Sequence, residues 1–158
     1  MDNFADGAEQ SDDIAMLALH INEKEIAKNE ITVDAVKESL DEVVKFISSE
    51  LMKTSYPPNI QNEIEIASEE VFTNIVNYAY GQEGGRVKIS IFTENEVKIK
   101  FEDNGQPFNP HEQEAPDLNK PLNEREIGGL GLYLVKKIMD RVEYSRENDK
   151  NILIIAKK

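Results

Sequence analysis

The sequence predicts an α+β fold, a two-layer α/β sandwich in which helices cover one face of a mostly antiparallel mixed sheet. Three observations carry this. Arg86–Thr93 (RVKISIFT) and Glu96–Asp103 (EVKIKFED) alternate with period two across a two-residue link, two amphipathic helical patterns precede them, and a helix and two strands close the chain. In order, Ile14–Ile26 (IAMLALHINEKEI) begins apolar and passes into alternation, which reads as one strand or two. Thr32 is placed to cap a helix in which Val33, Val36, Leu40, Val43, Val44, Ile47 and Leu51 recur at three- and four-residue steps. Tyr56-Pro57-Pro58 stops that helix, because proline removes a donor and pushes the residue before it out of the helical region. A second helix is expected from Asn59 to Ala79, burying Ile60, Ile64, Ala67, Val71, Ile75 and Tyr78. Gly81, Gly84 and Gly85 turn the chain into the hairpin, Leu130–Met139 is helical, and strands follow near Arg141–Arg146 and Asn151–Ala156. Residues 104–127 keep no period and carry Pro107, Pro110, Pro116 and Pro121. A stretch of that length in a compact domain serves as a lid or binding loop more often than as a simple connection.

The chain has 158 residues, enough for one domain with a sizeable core. That domain reads as residues 14–158, behind an acidic tail, 1–13, that offers almost nothing apolar to offset the entropy of ordering. A net charge of −13 repels phosphate backbones and anionic membranes, so neither nucleic acid nor a membrane is an expected partner. The acid gathers on the tail and the first two helices, whereas 130–158 is mildly basic. The absence of cysteine excludes disulfides, thiol nucleophiles and thiolate metal sites. With no leader-like start and no apolar run near the roughly 18 residues of a membrane helix, the chain reads as cytoplasmic.

Three places depart from pure architecture. Glu70 and Asn74 lie four residues apart on the second helix, with Asn77 a turn further on, so a carboxylate and an amide oxygen share one face. An isolated pair of this kind is more often a solvated flank, but such oxygens suit Mg²⁺ and the orientation of a nucleophile. Asp103 ends the strand whose Val97, Ile99 and Phe101 share its inward face, and a buried carboxylate needs a donor. Asp103-Asn104-Gly105 resembles a hairpin turn, yet Gln106-Pro107-Phe108-Asn109-Pro110 offers no returning strand, which favours an acid that accepts from a ligand amine. Gly128-Gly129-Leu130-Gly131 opens the helix Leu132–Met139, presenting backbone N–H groups and a partial positive charge of the kind that suits phosphate. It is neither a P-loop, lacking Gly-Lys-Ser/Thr, nor a dinucleotide fingerprint, since Leu134 stands where that pattern needs glycine.

Taken in order, Glu69-Glu-Val-Phe-Thr-Asn74, Asp103-Asn-Gly-Gln-Pro-Phe108 and Gly128-Gly-Leu-Gly-Leu-Tyr-Leu-Val135 make the sequence resemble the GHKL ATPases. Within them it is most similar to the anti-sigma factor serine/threonine kinases of bacterial partner-switching systems. The resemblance spans about residues 14–157 and implies the Bergerat ATP-binding fold. It implies ATP and Mg²⁺ as cofactors, with Asn74 as the Mg²⁺ ligand and Glu70 as base or orienting group toward the attacking hydroxyl. Asp103 would accept from the adenine amine, Gly105 would let the backbone pass close to the base, and the amides around Gly129 and Gly131 would cradle phosphate. Asn77, Phe108, Gly128, Leu130 and Leu132 complete the implied nucleotide-binding set. Arg125, the one arginine of the lid, is a candidate for reaching the transferring phosphoryl group or, equally, a solvated lid charge. Tyr78 stands where the family often carries histidine. The implied partners are a sigma factor and a small STAS-type anti-sigma factor antagonist, and the implied assembly is a homodimer.

Two functional readings stay open from sequence. One is a kinase that phosphorylates the antagonist on serine or threonine. The other is a nucleotide-dependent switch that sequesters a regulator without chemistry. A histidine-kinase catalytic domain fits less well, because His20 and His111 fall in a strand and a loop rather than on a dimerisation helix.

Overall fold

The computed structural model describes residues 29–112 and 129–158; the expected tail 1–13, the strand 14–26, Arg125 and Gly128 lie outside the described residues. Strand β1, Asn29–Asp34, opens the described chain. It pairs antiparallel with β2, Arg86–Phe92, setting Ile31 opposite Ile89 and Val33 opposite Val87. Thr32 therefore lies in a strand opposite Lys88 and caps no helix. Val33 and Val36 fit a helical spacing, but Ile31-Thr32-Val33 is β-branched and alternates, and an edge place on a ready apolar face satisfies both tendencies. A 3₁₀ turn, Lys37–Ser39, leads into helix α1, Leu40–Leu51, while Val36 stays exposed.

Helix α2, Pro58–Asn74, starts with proline at its first position, where the missing N–H has no intrahelical partner to lose. It ends in a π-helical turn, Ile75–Ala79. The wider i→i+5 winding advances the phase of the chain, so Ala79 points inward at 4% exposure and Tyr78 swings out to 44%. Tyr78 is thus not part of the buried stripe; its ring stacks on Phe108, with centroids 6.3 Å apart. The Tyr80 hydroxyl accepts from Asn104 N–H and donates to the Arg86 carbonyl, both at 2.8 Å, fastening the end of this turn to the end of β3 and the start of β2.

Strand β3, Val97–Asp103, completes the predicted hairpin with β2. Helix α3, Gly129–Ile138, follows the undescribed stretch, and β4, Arg141–Glu147, and β5, Lys150–Lys157, form a second hairpin. Its two-residue turn, Asn148-Asp149, has φ of 49° and 63°, the left-handed pair of a type I′ turn, which Asn and Asp tolerate. The sheet runs β1-β2-β3-β5-β4 with every described pairing antiparallel. Val43, Ile47 and Leu51 of α1, Ile64, Ala67 and Val71 of α2 and Val135 of α3 share one buried cluster with Ile89, Ile91, Ile99, Phe101 and Ile155 of the sheet. Each large apolar side chain so buried contributes about 1.5–3 kcal/mol before entropy is counted. This packing fixes the C-terminal part of α2 over the end of β3, beside α3.

Candidate functional site

Between α2, α3 and the sheet lies a pocket whose polar wall is Asn74, Asp103, Tyr144 and Asn151. Its apolar wall includes Val71, Ile75, Ala79, Phe108, Leu132 and Leu153. Of the residues singled out from sequence, Asn74, Asp103, Phe108 and Leu132 come together here, and Gly105 sits buried beside Asp103. Asn77 and Leu130 are exposed and do not line the pocket, Asn77 because the π turn redirects the face it shares with Asn74.

Asp103 ends β3 with 5% exposure. The Gly105 N–H, at 2.8 Å, and the Asn151 side-chain amide, at 2.9 Å, both donate to its Oδ1, leaving Oδ2 with no donor among the described residues. Burial pushes the Asp103 carboxyl above the ordinary aspartate value, while the bonds from Asn151 and Gly105 and the Arg146 charge pull it back. A raised carboxyl stabilises the fold fully below the unfolded-chain value of 3.8, and that contribution is lost as pH rises through the native value. Above it, a buried carboxylate with one free oxygen faces the pocket.

Gly105 meets the turn at the end of α2 so closely that a Cβ there would lie 2.4 Å from the Ala79 carbonyl oxygen, and Gln106 N–H donates to that same carbonyl at 2.7 Å. We expect Gly105→Ala to cost about 1–3 kcal/mol, the usual penalty of forcing atoms into a filled site. Urea unfolding would read this as a lower midpoint at unchanged slope.

On α2, the Asn74 amide nitrogen donates to the Glu70 carbonyl at 2.9 Å, which turns its oxygen away as the end free to coordinate. The Glu70 carboxylate lies against α3: a Cβ on Gly131 would stand 2.1 Å from Glu70 Oε2. Glu70, Asn74 and the opening turn of α3 are therefore neighbours, as their roles would require. Among the described residues no three His, Cys, Asp or Glu side chains converge as a metal cage. A divalent cation here would depend on Asn74 together with phosphate oxygens and water, the habit of Mg²⁺.

Sequence reading missed Asn151, Tyr144 and Arg146. Their one signal was polarity at the near ends of β4 and β5, which any solvated strand end also shows. The Lys136 ammonium, which donates to the Pro110 carbonyl at 2.6 Å and so ties α3 to the segment after β3, was likewise missed.

The profile of the histidine kinase-like ATPase domain matches residues 33–157. The chain is 34% identical over 124 residues to a protein of Halalkalibacterium halodurans named serine-protein kinase RsbW, covering 75% of this chain and 76% of that one. A Bacillus mycoides protein of the same name is 32% identical over 97 residues, 58% of this chain and 61% of its own length. The crystal structure of the RsbU and RsbW domains of a Mycobacterium tuberculosis protein superposes with a TM-score of 0.55 at 13% identity, over 83% of this chain and 32% of that one, and so shares the fold. No helix among the described residues is long and apolar enough to cross a membrane. By the span of the profile match and the identity to its relatives, this chain belongs to the histidine kinase-like ATPase domain family.

Proposed function

We propose that the chain is an anti-sigma factor serine/threonine kinase that binds Mg-ATP in this pocket and phosphorylates a small STAS-type antagonist protein. The observation that carries the reading is Asp103, a buried carboxylate in the wall of a mostly apolar cleft, with one oxygen held by two donors and the other left without a donor among the described residues. Such an end wall fits a planar ring bearing an exocyclic amine. Asn74, its oxygen free, fits a Mg²⁺ ion, which when bound would neutralise phosphate charge. Glu70, beside the start of α3, stands where a hydroxyl attacking a terminal phosphate would need a base or orienting group. Arg125 and Gly128 keep their proposed roles toward the transferring phosphoryl group and the phosphates. The relatives' names support the kinase activity, and the resemblance supports a sigma factor as second partner, a homodimer as the assembly and the cytoplasm as its place.

Incubation with γ-labelled Mg-ATP and the antagonist encoded beside this chain tests the reading, with label expected on serine or threonine of the antagonist. Glu70→Gln should bind ATP within about threefold of wild type and lower transfer by about 100-fold or more, the usual scale of a positioned base. ATP binding by wild type without transfer to any such antagonist would favour a nucleotide-dependent binding switch instead.

A further inference from the structure

We propose that Asn151 is the positioning residue that holds Asp103 as a one-sided, ionised acceptor, and that Arg146 and Tyr144 lock Asn151 for that task, so that this network sets a preference for adenine over guanine. The inference rests on the reading that the pocket takes ATP, and it names what on β4 and β5 makes Asp103 selective.

Asn151 lies on β5 directly opposite Asp103 and is 4% exposed. Its amide nitrogen donates to Asp103 Oδ1 at 2.9 Å and to the Gln106 carbonyl at 2.8 Å. Its amide oxygen accepts from the Tyr144 hydroxyl at 2.8 Å and from Arg146 Nη1 at 2.9 Å. A guanidinium can only donate and a carbonyl can only accept, so one orientation of the amide satisfies all four contacts. The flipped amide would set oxygen against the Gln106 carbonyl and the carboxylate, and N–H against the guanidinium. Tyr144 and Arg146 also hold the segment that follows β3: Phe108 N–H donates to the Tyr144 hydroxyl at 3.3 Å, and Arg146 Nη1 donates to the Gly105 carbonyl at 3.1 Å. One fixed side chain thus ties β3, β4 and β5 to the residues that rim the pocket.

The consequence is chemical. With Oδ1 occupied, Asp103 offers Oδ2 alone, and an ionised Oδ2 accepts from the 6-amino group of adenine but repels the 6-oxo group of guanine. A protonated Asp103 would donate and lose that distinction. Ionisation opposes burial, so the donors on Oδ1 decide the pH range in which the pocket discriminates. Among the described residues, the charged and titratable groups beside this carboxyl are Arg146 from β4 and Tyr80 from the end of the turn after α2, with Tyr144 of β4 bonded to Asn151 next to it.

The test uses the full chain with Asn151→Leu, Arg146→Met and Tyr144→Phe, measuring ATP and GTP affinity and, by carboxyl NMR without nucleotide, the Asp103 titration. In Asn151→Leu, ATP affinity should fall about tenfold, the scale of one charge-assisted hydrogen bond, and the ATP-to-GTP ratio should shrink. The Asp103 midpoint should rise by about one pH unit. Tyr144→Phe should move the midpoint the same way by less. A folded Asn151→Leu chain with the wild-type midpoint and ratio overturns the proposal. If that chain does not fold, Arg146→Met and Tyr144→Phe, which keep the buried amide, decide it on the same readouts. Wild type that binds no ATP overturns the nucleotide reading, whereas the titration without nucleotide still decides the positioning role.

Discussion

Replacing Asp103 with Asn is expected to abolish ATP binding while leaving the fold intact. The two donors on Oδ1, Gly105 N–H and the Asn151 amide, dictate which end of a substituted amide stands there: its oxygen. The amide nitrogen then takes the place of Oδ2 and points a donor at the pocket, where the adenine amine also donates. Loss of a charged acceptor and the creation of an unsatisfied buried donor each cost about 1–3 kcal/mol, so ATP affinity should fall by about 30-fold at the least. The fold should not suffer, because the substitution removes a carboxylate that burial disfavours. Calorimetric titration and a thermal melt check the two halves. Undiminished binding would place the base elsewhere.

Gly131→Ala should separate stability from activity in the opposite direction. Gly131 lies within α3, where alanine is preferred over glycine by about 1 kcal/mol, so the folded state should be as stable as wild type or more so. The new Cβ, however, would fall 2.1 Å from Glu70 Oε2 and 3.0 Å from its Cδ. The carboxylate ends a flexible side chain and will rotate away at small cost to folding, leaving the position from which it would act on a hydroxyl. Phosphoryl transfer should then drop by about 100-fold, close to Glu70→Gln, because the base is present but displaced. A melt paired with a transfer assay reads both effects. A Gly131→Ala chain that transfers at the wild-type rate would mean that Glu70 does not act from this place.

The strands of the central hairpin and the stripe of α2 up to Ile75 were legible because one period governed each and the burial pattern left no second solution. Val33 was not, since Val33-Val36-Leu40 satisfies a helical step while Ile31-Thr32-Val33 satisfies a strand, and only the partner Val87 on β2 decides between them. Tyr78 and Asn77 were misplaced for a related reason: a π turn changes the period by about one residue, and nothing in Ile75-Val76-Asn77-Tyr78-Ala79 announces it. At the site, Asp103 stood out because an acid at an inward position demands a partner. Asn151 did not, because an asparagine next to a hairpin turn has an ordinary explanation until the β3–β5 register sets it opposite Asp103.

The central claim is that this pocket holds an adenine nucleotide with Asp103 at the base and Asn74 at the phosphates. A backbone NMR titration of the wild-type chain with ATP and Mg²⁺ near neutral pH tests it most directly. Saturable shifts at Gly105, Asn151 and Asn74, with far weaker effects from GTP, are the predicted result. Absence of saturable binding, or shifts gathered instead on the opposite face of the sheet around Thr32, Lys88 and Lys150, would contradict it.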